Sequence, residues 1–214
     1  MKKIFILLSM ALVLPVMSCK ENTPASDAVS GAYENPVVEA IMERRSVRKY
    51  QDRPVERDLL MRIAECGINA PNAMNAQQWE VRIVDNKEWI QGMSDLQLSM
   101  MDPQMVAQMK SDPSFRNAFR NGTALFVVAV KPSPMTFIDA GLMGENIMLA
   151  AHSFGLGTCC LGSSARFLNT PEAAEWLKAL QFSEGYEVQY IIAVGYPDER
   201  PQAKPRNKEV IRFI

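Results

Sequence analysis

The chain has 214 residues, 48% of them apolar, with 23 Lys and Arg against 24 Asp and Glu and a formal charge of −1. That length and apolar share suit one domain with a core of its own. A nearly neutral chain lacks the surplus of cations that drives nonspecific nucleic-acid binding, so no nucleic-acid partner is expected.

Lys2 and Lys3 precede an apolar run from Ile4 to Pro15, and "VMSC" follows, ending at Cys19. A charged start, a short apolar stretch and small residues before a cut are the layout of a signal peptide over 1–18. The stretch is shorter than the about 20 residues that a membrane span needs. Ser18-Cys19 resembles a bacterial lipobox, which implies cleavage before Cys19, lipidation of that cysteine and attachment to a membrane of the cell envelope. Without the leader, which carries Lys2 and Lys3 and no acid, the charge is −3. Residues 19–34 are mostly small and polar and read as a flexible tether. Residues 35–214 are left as the folded domain.

Folding begins at "NPVVEAIMERR", with Asn35 as N-cap, Pro36 at the first helical position and Val37, Ala40 and Ile41 at helical spacing. The helix runs into "RRSVRKY", residues 44–50, in which four cations surround Ser46 and Val47. Cations suit a helix C-terminus, which explains one or two of them but not four. "VERDLLMRIAECGINAP" is amphipathic, with Leu59, Leu60, Ile63, Ala64 and Gly67 on the buried face and Pro71 as terminator. "NAMNAQQ" is a polar loop, "WEVRIVD" (79–85) a half-buried strand and "KEWIQGM" a helix. Residues 99–122 give no clear period and read as a mobile helix and lid. "ALFVVAV" (124–130) has the continuous apolar character of a central strand. From Asp139 a long helix carries Gly141, Gly144, Ala150 and Ala151, small enough for another helix to pack closely. Thr170 and Pro171 open a further helix, "EVQYIIAVGYPDE" is the last strand, and the tail is extended and basic. The uneven alternation predicts an α+β fold, an antiparallel or mixed sheet covered by helices.

Side chains for conventional catalysis are scarce. The lone histidine, His152, falls within a helical pattern and reads as a packed or surface residue. No group has metal-ligand spacing, and no Ser-His-Asp set can be assembled. Gly155-Leu156-Gly157 lacks the third glycine and the strand-to-helix order of a dinucleotide fingerprint. Cys66 reads as core, and Cys159-Cys160 as small residues in a tight buried turn, since a bond between adjacent cysteines closes a strained ring. An enzyme with this inventory needs a cofactor to make and break bonds.

Four segments, in order, then carry a resemblance over about 180 residues: "RRSVRKY", "APNAMNAQQW" (70–79), "GLGTCCLG" (155–162) and "GYPDERPQAKPR" (195–206). Together they resemble the nitroreductase family, FMN oxidoreductases built as intertwined homodimers around a mostly antiparallel sheet. The resemblance implies that Arg44, Arg48, Lys204 and Arg206 hold the FMN phosphate, with Ser46 adding a hydroxyl and Arg45 matching the motif though its side chain could face away. Convergent guanidinium and ammonium groups are the physical means of holding such a dianion. It further implies that Pro71, Asn72, Ala73 and Asn75 reach the flavin from the neighbouring subunit. Cys160, Leu161 and Gly162 would offer backbone N–H groups to flavin N5 and O4, Asp139 would support the site, and Ile211, Phe213 and Ile214 would pack on the partner chain. The implied reaction is ping-pong hydride transfer through flavin N5, from NAD(P)H in relatives to nitroaromatics, quinones or similar electrophiles. Asn72 and Ala73 stand where serines are usual, Gln78 replaces a proline, and Cys160 replaces a bulky residue; these departures bear on substrate preference and flavin potential. Export sets the chain apart from the cytoplasmic NAD(P)H pool, so a quinol or a partner electron carrier is an alternative donor. The competing reading is an exported flavin-binding lipoprotein without turnover.

Overall fold

Four strands form one antiparallel sheet in the order β1-β2-β4-β3: β1 (Trp79–Val84), β2 (Ala124–Val130), β3 (Gly157–Leu161) and β4 (Glu187–Gly195). This computed structural model describes residues 35–214; the leader, Cys19 and the tether lie outside the described residues. Every residue of β2 is buried, because the sheet is covered on both faces. Leu125, Val127 and Ala129 enter one core with Ile191, Ala193, Cys159 and Leu161. Phe126, Val128 and Val130 enter the other with Ile192 and Val194. The twofold period of a strand thus sorts alternate residues into two separate cores.

Among the described residues there are seven helices: α1 (Pro36–Glu43), α2 (Arg57–Ile68), α3 (Lys87–Ser99), α4 (Pro103–Lys110), α5 (Pro134–Ser153), α6 (Gly162–Leu168) and α7 (Ala174–Ala179). Leu60, Ile63 and Ala64 of α2 and Ala140, Met143, Ile147 and Ala151 of α5 fill one layer. Ile90 and Met93 of α3 and Ala165 and Leu168 of α6 fill the other. Helix α5 begins earlier than its small-residue pattern indicates, because Ser133 and Thr136 form a reciprocal capping box with Pro134 just inside. The close helix approach expected at Gly141 and Gly144 lies elsewhere. A Cβ on Gly141 would meet nothing within 4 Å, one on Gly144 would meet the Tyr190 hydroxyl at 2.8 Å, and one on Gly67 of α2 would fall 2.5 Å from Ile147 of α5.

Two further expectations change. Cys159 and Cys160 occupy strand β3 rather than a turn, paired with Ala193 and Ile192 of β4. Pleating turns Cys159 into the core and leaves Cys160 exposed, so the two thiols point apart and are free. Residues 111–122 are not a loose lid. Asn121 Oδ1 accepts from the N–H groups of Arg116 and Asn117, and Asn117 Oδ1 accepts from those of Phe119 and Asn121. Ser94 Oγ of α3 accepts from the Ala118 N–H at 2.8 Å, and Phe119 is fully buried. This knot is tied by side chain–backbone bonds, which have no hydrophobic period to read.

Candidate functional site

Beside the outer strand β3, residues 44–51 meet the residues that follow β4. Ser46 bridges Thr158, and the Val47 N–H donates to the Thr158 carbonyl at 2.9 Å. A Cβ on Gly157 would lie 2.8 Å from Val47, so only glycine admits this approach. Beyond it, the Gln51 N–H donates to Tyr196 O and the Asp198 N–H to Lys49 O, each at 2.9 Å. Buried Tyr50 fastens the seam by donating its hydroxyl to Val47 O at 2.7 Å, with Ala193 O at 3.3 Å. "RRSVRKY" is therefore stitched to the residues that start the C-terminal tail.

The cations around this seam fall into two clefts. Arg44 and Arg45 line one of about 350 Å³, with His152, Thr158 and Arg200. The Arg44 Nε is 3.3 Å from Glu145 of α5. Arg45 turns back on the end of α1, donating to the carbonyls of Met42 and Arg44, both at 2.7 Å. Arg48, Lys49 and Arg120 line a second cleft of about 400 Å³ with Asp112. Glu199 belongs to both and accepts from the Arg48 backbone N–H. Burial pushes the Cys159 thiol pKa up, and the Arg48 and Arg120 guanidinium groups oppose that shift. Burial and Cys159 likewise raise the Cys160 thiol, with Arg44 opposing.

The loop before β1 holds Pro71, Asn72, Ala73 and Asn75. Both carboxylate oxygens of Asp139 on α5 accept from the Ala73 N–H, at 3.2 and 3.3 Å. Asp139 thereby clamps the loop backbone. On the strand side, Leu161 is buried, Cys160 is exposed and a Cβ on Gly162 would meet nothing within 4 Å, which leaves the end of β3 open to a ligand.

Within one chain the four cations expected at a phosphate are not gathered at one point. Lys204 and Arg206 lie in an exposed tail, where Arg206 donates to the carbonyl of Lys204 at 3.2 Å. Sequence reasoning passed over Arg120 and Arg200. Arg200 stands two residues after the strand motif "GYPD", and Arg120 repeats the "FRN" of 115–117 at 119–121, signals too weak to assign. Among the described residues, Arg48, Arg120, Arg200, Lys204 and Arg206 join none of the ion pairs. Unpaired cations around an open strand edge fit an anionic, planar cofactor such as FMN better than a neutral one.

An antiparallel sheet between two helical layers, with cations flanking its open edge strand, defines a cofactor-binding α+β protein. The nitroreductase family profile matches residues 41–196, and the chain belongs to that family. It is 28% identical over 170 residues to a Methanothermobacter thermautotrophicus protein with the provisional name NADH dehydrogenase/NAD(P)H nitroreductase, covering 77% of this chain and 79% of that one. It is 27% identical over 186 residues to the FMN reductase [NAD(P)H] of Bacillus subtilis, covering 80% and 70%. The crystal structure of a Desulfitobacterium hafniense nitroreductase with bound FMN superposes with a TM-score of 0.75 at 28% identity, over 85% of this chain and 99% of that one.

Proposed function

We propose that the chain is an FMN-dependent oxidoreductase working as a homodimer, which takes electrons from a reduced donor and delivers them to a planar electrophile such as a nitroaromatic or a quinone. FMN, when bound, supplies the two-electron chemistry, taking hydride from the donor and passing it on. The chain's own groups bind and shape the site. Arg44, Ser46 and Arg200, with Lys204 and Arg206 of the tail, supply charge and donors for the phosphate, while Arg45 is engaged with the end of α1. Arg48 and Arg120 supply positive charge for the electron-rich end of the ring. Backbone N–H groups at Cys160–Gly162 present donors where negative charge develops on reduction. The loop 71–75 closes the site from the second protomer.

The observation that carries this reading is the seam: residues 44–51 and 196–198 are stitched together beside β3, leaving unpaired cations around its open end. The exposed apolar residues of α1, of the outer face of α5 and of the tail support the dimer. The leader and the Ser18-Cys19 pair support a lipid-anchored enzyme in the cell envelope, where a quinol or a protein carrier replaces soluble NAD(P)H as the donor.

The test is spectroscopic. Purified protein incubated with FMN should keep flavin absorbance through gel filtration, bleach anaerobically with NAD(P)H or a quinol, and recover its colour with a nitroarene or quinone. Bound flavin that no donor bleaches would select a flavin-binding protein without turnover. Arg48→Ala and Lys204→Ala should each weaken FMN by about 1.5–3 kcal/mol, the range for a hydrogen bond to a charged group; unchanged affinity in both would refute the placement.

A further inference from the structure

The three arginines of "RRSVRKY" are tied down in two different ways. Arg45 engages a terminal nitrogen, Nη1, with the carbonyls of Met42 and Arg44, and Arg48 engages its Nη1 with the carbonyl of Ser46 at 3.0 Å. Arg44 is held further back along its side chain. Its Nε donates to Glu145 Oε1 at 3.3 Å, and among the described residues neither of its terminal nitrogens makes a hydrogen bond. Both arms of its fork are therefore left for a ligand, on a side chain only 22% exposed that lines the cleft shared with Thr158 and Arg200. A guanidinium presenting both terminal nitrogens matches the oxygens of a phosphate.

A carboxylate beside a phosphate site repels the ligand, so Glu145 needs a use that outweighs its charge. Its place on α5 supplies one. Met143 and Ile147, two residues to either side, are fully buried. The helix is pinned again where Tyr190 donates to the Ala140 carbonyl and Asn146 to the Cys66 carbonyl. Glu145 thus projects from a firmly packed element towards an arginine that stands just past the end of α1. A long side chain held at Nε beforehand loses less rotamer freedom when its ligand arrives. We propose that Glu145 is a positioning residue for the cofactor, orienting Arg44 so that both terminal nitrogens meet the FMN phosphate. The inference rests on the FMN-binding reading and adds to it a residue that does not touch the flavin. Its effect is selective: it bears on FMN and not on riboflavin, which has the same ring and no phosphate.

The test is binding of FMN and of riboflavin to the full chain, each followed by the change in flavin fluorescence. Losing the charged bonds of Arg44 altogether, in Arg44→Ala, should weaken FMN by about ten- to hundredfold. Glu145→Ala should cost part of that, about three- to tenfold, and leave riboflavin unchanged. Glu145→Gln keeps an oxygen acceptor for Nε and removes the repelling charge, so its FMN affinity should equal or exceed that of the wild type. In an Arg44→Ala background, Glu145→Ala should no longer weaken FMN, because the two residues act as one unit. If the wild type binds FMN and Glu145→Ala binds it as tightly or more tightly, repulsion is the residue's only effect and the proposal is overturned. Equal losses for FMN and riboflavin would mark general damage to the fold and overturn it as well. A chain that takes up no FMN at all overturns the parent reading and this one together.

Discussion

Tyr50 shows how one residue holds a functional seam. Its hydroxyl sits among apolar neighbours, 2% exposed, and is satisfied by a backbone carbonyl of the arginine motif. Burial pushes its pKa far above the ordinary tyrosine value, with Cys159 and Glu199 adding to the shift and Arg48 opposing it. A phenol that stays neutral in the folded protein but ionises in the unfolded chain stabilises the fold fully below pH about 10 and progressively less above it. Tyr50→Phe leaves the Val47 carbonyl without this donor and should cost about 1–2 kcal/mol at pH 8. That deficit should shrink as pH rises from 9 to 11, because only the wild-type unfolded chain gains from ionising this group. Urea midpoints of both proteins across that range check the argument; a gap independent of pH would mean that Tyr50 titrates normally in the fold.

At the scale of elements, the layer that supports the site depends on a close contact between α2 and α5. Gly67→Ala should gain up to about 1 kcal/mol in helix propensity. Its new methyl group would meet Ile147 Cγ1 at 2.5 Å, an atom near the root of a fully buried side chain that cannot swing clear. Overpacking of this kind costs about 1–3 kcal/mol, so the variant should be net destabilised. Ile147→Ala removes the obstructing atom, and the double variant should be more stable than the two single losses added together; strict additivity in urea titrations would place the strain elsewhere. Gly67 was legible as part of the buried face because α2 keeps a clean helical period, and β2 was legible as an unbroken apolar run. Strand β3 was not, because two small cysteines on opposite faces imitate a turn. The 111–122 knot was not, because Asn117 and Asn121 organise it through hydrogen bonds. The candidate site was legible by motif where it is local, as in "RRSVRKY", which the structure stitches beside β3. Arg120 and Arg200 come to the clefts beside the seam through the tertiary fold, and no spacing in the sequence announces them.

At the scale of the molecule, the described residues leave two apolar segments exposed. Helix α1 buries no residue and exposes Val37, Val38, Ile41 and Met42; the tail ends with Val210, Ile211, Phe213 and Ile214 all exposed. Exposed apolar residues grouped on one helix and on one tail mark surfaces for contact, and an obligate homodimer commonly buries about 2,000 Å² or more in total. The tail also carries Lys204 and Arg206, so the arm that would grip a second copy would also bring cations to the cofactor. Deleting residues 207–214 spares Lys204 and Arg206 and removes the apolar end together with Asn207, Lys208, Glu209 and Arg212. If the arm acts as a clasp, sedimentation should show the shortened chain dissociating at concentrations where the full chain stays dimeric. On the proposed dimer, in which the loop 71–75 completes the partner's site, its FMN affinity should fall as it dissociates and return at high protein concentration as mass action restores the dimer. A shortened chain that stays dimeric at every concentration, or a monomer that binds FMN as tightly as the full-length protein, would separate the tail from assembly or assembly from the cofactor.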